Sequence, residues 1–346
     1  MDIQHGLDRA FELAALGPAH GPNPRVGCVI VSASGQILGE GYHQGSGSDH
    51  AEVAALADLR QRGNNSQGAT AIVTLEPCLH QGASPPCAPV LGQAGIKRVV
   101  AAMADPNPVA AGGAAYLRAQ GVRVDLDVAA ERAKEQNLAW WHSVTCQRPY
   151  VSLKLASSLD GRIAAADGSS RWITGLAARL HAHQIRAQID AIVVGLGTIL
   201  ADNPALTARL ADGSLDAWQP RRIAVGLRPI PPEAAIFGPG GPTDQITNHD
   251  PNQVLAFLHK HQVRHVLVEG GATIAAAWLA AGLVDQIWAY LAPVVLGAGL
   301  PAVGDIGVTT LDQAERFTTR QITPLGQDVL IEARKVKNDQ DVYRTG

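Results

Sequence analysis

Four residues stand out for the chemistry they could do together. His50 and Glu52 are two positions apart in His50-Ala51-Glu52, and prolines precede the cysteines of Glu76-Pro77-Cys78 and Pro85-Pro86-Cys87. One neutral imidazole and two thiolates make a tripod suited to Zn²⁺, with a fourth position left open for water. The metal lowers that water's pKa towards neutrality and so provides a nucleophile. A carboxylate that is not a ligand must then move protons. Glu52 is placed to take one from the water and deliver it to a ring nitrogen and a leaving ammonia. Singly, each residue has an ordinary reading as a capping histidine, a solvated glutamate or a buried thiol. Jointly they favour the metal.

These side chains need elements to hold them. A strand over 71–75 runs directly into Pro77-Cys78, where a helix could begin. A helix over 51–62, with Val53, Leu56, Ala57 and Arg60 spaced around it, carries Glu52 in its first turn. The zinc-deaminase signature has two residues between its cysteines, whereas eight lie between Cys78 and Cys87. An opening helix is marked by Ile3, Leu7, Ala10, Phe11 and Ala14 and stopped at Gly17-Pro18. Strands over 26–31, 98–102 and 122–124 alternate with helices over 88–94, 114–120 and 129–141, which implies a sheet covered by helices. Arg148-Pro149 breaks the pattern, giving domains at 1–145 and 146–346. Cys28 on a strand and Cys146 near the boundary read as structural thiols.

The second half alternates again, with strands over 151–155, 191–194, 222–225, 266–268 and 286–291 and helices over 177–188, 253–261 and 274–281. The Pro- and Gly-rich stretch 228–250 reads mostly as loop. One strand ends in Gly195-Leu196-Gly197-Thr198 and another in Glu269-Gly270-Gly271 before a helix. A single glycine turn of this kind is a weak signal. Two of them in one sheet point to a nucleotide lying across the strand ends, its phosphates on free backbone N–H groups. Lys154 sits on an otherwise apolar strand, where a lone ammonium is costly to bury, so it is either paired or at a site. His181, His183, His259, His261 and His265 read as surface histidines.

Composition removes other classes. The 346 residues allow two domains. A net charge of −3 gives no basic surface for nucleic acid or membrane, and 46% apolar residues exclude disorder across the chain. Four cysteines are too few for a disulfide scaffold. No apolar run reaches the ~18 residues of a membrane span and no targeting segment opens the chain, so a soluble cytoplasmic protein is expected.

Asn23-Pro24-Arg25-Val26-Gly27, Gly41-Tyr42-His43, His50-Ala51-Glu52 and Glu76-Pro77-Cys78-Leu79-His80-Gln81-Gly82 with Pro85-Pro86-Cys87 resemble one branch of the zinc deaminases. That branch is the bifunctional pyrimidine deaminase–reductases of bacterial riboflavin biosynthesis; Asp105-Pro106-Asn107-Pro108 also matches it. In the second half, the run from Leu153 to Arg162, Trp172-Ile173-Thr174, the run from Ala201 to Arg209 and Val268-Glu269-Gly270-Gly271-Ala272 resemble the reductase part. The resemblance implies an α/β chain with a cytidine-deaminase-like three-layer N-terminal domain and a dihydrofolate-reductase-like C-terminal domain. It implies Zn²⁺ on His50, Cys78 and Cys87, Glu52 as proton shuttle, and NADPH as the second cofactor. Asn23, His43 and Ser84 would contact the first substrate. Ser170, Arg186, Leu206, Arg209 and Glu269 would contact the second, with the two arginines as a fork for its phosphate. Ala156, Trp172, Thr198, Asp202, Gly271, Ala272 and Thr273 would contact NADPH, and Lys154, Asp202 and Glu269 would polarise or protonate the sugar.

The implied reactions are deamination of 2,5-diamino-6-ribosylamino-4(3H)-pyrimidinone 5′-phosphate and then reduction of its ribosyl side chain, in a homo-oligomer. The chain departs from the family pattern at two places. Ala83-Ser84 replaces a cation followed by threonine, and Ala224-Val225-Gly226-Leu227 replaces an Asp-Ser-like turn. The segment from there to Val266 is also short. Two alternatives stay open: one activity alone, or a zinc-stabilised ligand-binding protein without turnover. The retained Glu52 argues against the second.

Overall fold

The computed structural model describes residues 2–80 and 85–336. Contacts divide the chain into Met1–Gln147 and Arg148–Gly346. In the first unit the apolar spacing at the N-terminus forms α1 (Ile3–Ala15), capped by Asp2, whose carboxylate accepts from His5 N–H. There follow β1 (Gly27–Val31), β2 (Ile37–Tyr42), α2 (Ala51–Gln61), β3 (Thr70–Val73), α3 (Cys87–Gln93) and β4 (Arg98–Ala101). α4 (Gly113–Ala119), β5 (Arg123–Asp125), α5 (Ala130–Gln136) and α6 (Leu138–Cys146) complete it. The strands order as β2-β1-β3-β4-β5, with β3, β4 and β5 parallel and β1 antiparallel to both its neighbours. Leu56 and Leu59 of α2, Leu91 of α3 and Leu117 of α4 pack on one face. Phe11 of α1, Ala133 of α5 and Trp140 of α6 pack on the other, which makes three layers.

Two features of this unit differ from the sequence reading. β2 is unheralded because Gly39 and Gly41 dilute its strand signal. Their reason is packing: a Cβ at Gly39 would lie 2.4 Å from the Ala55 carbonyl oxygen, and one at Gly41 2.3 Å from Ala55 N, so α2 rests directly on the strand. The single helix expected over 129–141 is two helices. The side chain of Asn137, between them, accepts from Arg25 N–H at 2.8 Å and donates to the Arg25 carbonyl at 2.9 Å.

The second unit comprises β6 (Tyr150–Ser158), β7 (Arg162–Ala164), α7 (Leu176–Arg186), β8 (Ala191–Gly195), α8 (Leu196–Asp202), β9 (Arg221–Val225) and β10 (Thr243–Ile246). It continues through α9 (Pro251–Lys260), β11 (His265–Glu269), α10 (Ala272–Ala280), β12 (Gln286–Ala292), β13 (Leu300–Pro301), β14 (Phe317–Leu325) and β15 (Asp328–Lys335). Eight strands order as β10-β9-β8-β11-β6-β12-β15-β14, and β7 pairs with β13 apart from them. The six from β10 to β12 are parallel; β15 and β14 close the sheet as an antiparallel hairpin. Leu258 of α9 and Trp278 of α10 cover one face, Ile185 of α7 and Ile199 of α8 the other. β10 lies inside the stretch read as loop, since Thr243-Asp244-Gln245 carries no apolar run. β14 is an exposed edge strand with the same lack of signal. Among the described residues no helix is long and apolar enough to cross a membrane.

Two candidate active sites

The first site gathers at the N-terminal ends of two helices. His50 is the N-cap residue of α2, and Glu52 in the first turn is 3% exposed. Cys78 lies in the loop after β3. The helix expected at Pro77-Cys78 begins instead at Cys87, the first residue of α3, with Pro86 as its N-cap. His50 Nδ1 stands 3.2 Å from Cys87 Sγ and 3.5 Å from Cys78 Sγ, and all three donor atoms lie within 4.8 Å of one another. Tetrahedral zinc with these ligand types separates neighbouring donors by about 3.6 Å, so the group fits Zn²⁺. The Cys87 N–H also points at Cys78 Sγ from 3.5 Å, which favours a thiolate there. A hydrogen bond from Cys87 holds the Cys78 thiol below its ordinary range, and the same contact pushes Cys87 up.

Burial drives the Glu52 carboxyl up to about 7, so it can hold or release a proton near neutrality. His43 stands beside His50, with its Nε2 3.0 Å from Asn23 Nδ2 and its Nδ1 3.1 Å from the Asp49 carbonyl. Burial lowers the His43 pKa. The ring is therefore neutral, donating from Nδ1 to Asp49 and accepting at Nε2 from the Asn23 amide. Its edge meets the His50 ring with centroids 5.5 Å apart. Asn23, His43, His50 and Glu52 are thus brought together. Ser84 and Ala83 lie outside the described residues.

Glu76, given no role in the sequence reading, is a buried carboxylate two residues before Cys78. Its buried carboxylate accepts from Asp105 N–H at 3.1 Å, Gly112 N–H at 3.3 Å and Ala114 N–H at 2.8 Å. It ties the segment entering Cys78 to the loop between β4 and α4. The signal was available: a charge ends an apolar strand, as Lys154 interrupts another. Cys28 is buried on β1, whereas Cys146 is exposed and packs nothing inside.

The second site is a cavity of about 1030 Å³ at the carboxyl ends of β8, β9 and β11 and against the middle of β6. Both glycine turns open onto it. Glu269, at the end of β11, takes two bonds from Arg186, Nε and Nη2 each at 2.9 Å, and has Lys154 Nζ at 3.9 Å. Arg186 Nη1 also donates to the Thr207 carbonyl at 3.2 Å. Burial pushes Glu269 up, but Arg186 and Lys154 outweigh it and hold the carboxyl at about 2. Burial lowers the Lys154 pKa against the pull of Glu269. Lys154 is thus both paired and at a site.

Ala156, Ser170, Thr198, Asp202 and Leu206 line this cavity, and so do Gly271, Ala272 and Thr273 at the start of α10. Trp172 and Arg209 are not among its lining residues. Trp172 is 70% exposed, with the Arg179 guanidinium 4.3 Å from its ring centroid. Arg209 donates to Thr207 Oγ1 at 3.1 Å and to the Gly213 carbonyl at 2.7 Å. Arg186 lines the cavity with its guanidinium held by Glu269, whereas Arg209 is bonded within its own loop. Three histidines read as surface residues are half-buried and bonded: His181 to Tyr290 Oη, His183 to the Thr207 carbonyl and His265 to Ser152 Oγ.

Comparison with known proteins bears on both units. Residues 2–103 match the cytidine and deoxycytidylate deaminase zinc-binding region, and residues 149–331 match the RibD C-terminal domain. The riboflavin biosynthesis protein RibD of Mycobacterium tuberculosis is 48% identical over 311 residues, covering 90% of each chain. Its counterpart in Escherichia coli is 38% identical over 367 residues, covering 96% of this chain and 99% of its own. The crystal structure of a diaminohydroxyphosphoribosylaminopyrimidine deaminase/5-amino-6-(5-phosphoribosylamino)uracil reductase from Thermotoga maritima superposes with a TM-score of 0.88 at 32% identity, over 96% of this chain and 99% of that one. RibD of Acinetobacter baumannii gives 0.87 at 36%, over 97% and 99%. The chain belongs to the RibD family of riboflavin biosynthesis, a bifunctional deaminase and reductase that uses Zn²⁺ and NADPH.

Proposed function

We propose that residues 1–147 deaminate 2,5-diamino-6-ribosylamino-4(3H)-pyrimidinone 5′-phosphate at C2 and that residues 148–346 then reduce its ribosyl side chain to ribityl. His50, Cys78 and Cys87 would hold the Zn²⁺. Bound there, the metal supplies a Lewis acid that brings the pKa of water towards 7. Glu52 takes a proton from the attacking water and passes it to the ring nitrogen, then carries the proton of the newly added hydroxyl to the amino group, which leaves as ammonia. Its pKa of about 7 suits both halves of that shuttle. Asn23 and His43, locked to one another, orient the pyrimidine.

Bound in the second unit, NADPH would supply a hydride for C1′ of the ring-opened imine. Glu269 is ionised and cannot donate a proton. Its task is to hold Lys154 and Arg186. Lys154, with a pKa lowered by burial, is the group that protonates the reacting sugar, and Asp202 lines the same cavity. Thr198, Gly271, Ala272 and Thr273 offer the cofactor's phosphates the starts of α8 and α10.

The observation that carries this reading is the presence in one chain of a His-Cys-Cys tripod beside a buried carboxylate and of a cavity fed by two glycine turns. Ammonia release and NADPH oxidation, measured separately on the diamino substrate, test it. Both should occur, and the second should need the product of the first. Ammonia without oxidation, or the reverse, reduces the chain to one activity. We further propose a homo-oligomer working in the cytoplasm. Four free cysteines, two of them needed as thiolates, support a reducing compartment. Light scattering on the purified chain tests the assembly.

A further inference from the structure

One wall of the second cavity is held in a backbone conformation that its residue type disfavours. Leu206 has φ +54, in the left-handed region. A residue with a side chain of this size is strained there and persists only where its surroundings fix it. Asn203, with φ +45, has an ordinary reason for the same geometry, because it terminates α8. Leu206 lies in no helix or strand. Among the described non-glycine residues with positive φ, it is the one that lines the cavity. Its side chain is 4% exposed and packs in the core with Ile199 and Ile236. Among the described residues its N–H forms no hydrogen bond. Leu206 thus brings an unused backbone donor to the cavity that Lys154, Arg186 and Glu269 also line.

Three side chains grip the carbonyls on either side of it. Arg222, 3% exposed, donates from Nη1 to the Ala205 carbonyl at 3.2 Å. Arg186 Nη1 reaches the Thr207 carbonyl at 3.2 Å, and His183 Nδ1 lies 2.9 Å from the same oxygen. Burial and the neighbouring Arg186 lower the His183 pKa, so the ring is neutral and Nδ1 is the donating nitrogen. Arg186 has a second task at Glu269, and Arg222 also holds the carbonyls of Gly238 and Gly241. His183 is not among the cavity's lining residues, and its one hydrogen bond among the described residues is to Thr207.

We infer that His183 is a positioning residue of the reductase, which fixes Leu206 in its left-handed conformation through the Thr207 carbonyl and so presents the Leu206 N–H to the bound ribosyl substrate. This rests on the reductase reading of the second unit. The test is steady-state NADPH oxidation by the full chain, with 5-amino-6-(5-phosphoribosylamino)uracil supplied directly so that the first site is bypassed. His183→Ala should raise KM for this substrate by roughly 3- to 10-fold, the net worth of one hydrogen bond, while kcat and the KM for NADPH stay within about twofold of wild type. His183→Leu, which fills the space without a donor, should do the same, so a collapsed alanine variant leaves the test standing. His183→Asn, whose amide nitrogen stands where Nδ1 does, should bring the substrate KM back to within about twofold of wild type. A role confined to stability would instead lower the melting temperature and leave the substrate KM alone. That result, an equal rise in both KM values, or an asparagine variant no better than leucine overturns the assignment. A wild type that oxidises no NADPH with this substrate overturns the reductase reading as well, so the two failures are distinct.

Discussion

Glu52 and Glu269 are buried alike, 3% and 7% exposed, yet burial leaves one carboxyl at about 7 while the other is held at about 2. The difference is company. Glu269 faces a guanidinium in a two-point contact and an ammonium behind it, and together these outweigh the cost of desolvation. Among the described residues Glu52 has no arginine or lysine partner, and the nearby Cys78 thiolate pushes its pKa further up. One acid is thereby kept ready to exchange a proton, and the other is fixed as a permanent anion that organises two cations. Depth in the protein sets the stakes, and neighbours decide the outcome.

The largest effect should come from removing the exchangeable proton. Glu52→Gln keeps the shape and the tripod, so ammonia release should fall by about 10²- to 10⁴-fold while metal content stays the same. Metal analysis beside the ammonia assay checks this, and undiminished release would remove Glu52 from the mechanism. Arg186→Met tests the other half of the comparison. It strips Glu269 of its main partner and should cost on the order of 3 kcal/mol of stability at pH 7. Because the folded pKa of Glu269 lies below its ordinary value, the wild-type contribution is present above about pH 4.5 and disappears as pH falls through about 2. Unfolding curves should therefore show the gap between variant and wild type closing across that acid window. A gap independent of pH would mean that Arg186 stabilises by packing alone.

Glu76 provides the smallest and most local contrast, a buried carboxylate satisfied by backbone N–H groups instead of side-chain cations. Glu76→Gln keeps one acceptor oxygen but turns an NH₂ towards at least one N–H. A loss of about 1–3 kcal/mol is expected, with weaker zinc retention against a chelator. Unchanged stability together with unchanged metal retention would show that the loop before α4 does not position Cys78.

Much of this was legible because it is local. His50 and Glu52 share one helix start, and Cys78 and Cys87 sit beside prolines, so type and spacing alone announce a metal site. The turns at Gly195 and Gly270 follow apolar strands that any periodicity reading finds. What stayed hidden depends on partners far along the chain. Arg186 is 83 residues from Glu269, and Glu76 is 29 to 38 residues from the amides it binds. Nothing near Arg186 in the sequence says that it will be held by a carboxylate. β10 and β14 escaped because edge strands need no apolar alternation to be held by their ladders. The helix break at Asn137 was equally invisible, since it answers to the backbone of Arg25.

The bare faces of Gly39 and Gly41 act as a bearing surface for the helix that carries His50 and Glu52. The height of α2 above the sheet is set by side chains that are missing, 9 to 13 positions away from the residues whose reach depends on it. A single methyl at Gly41 would shim the helix outward and tilt the imidazole off the two sulfurs, although it would touch neither metal nor substrate. Two positions with no chemistry of their own are therefore among the least replaceable in the deaminase, and a survey of tolerated substitutions would map them as part of the active site.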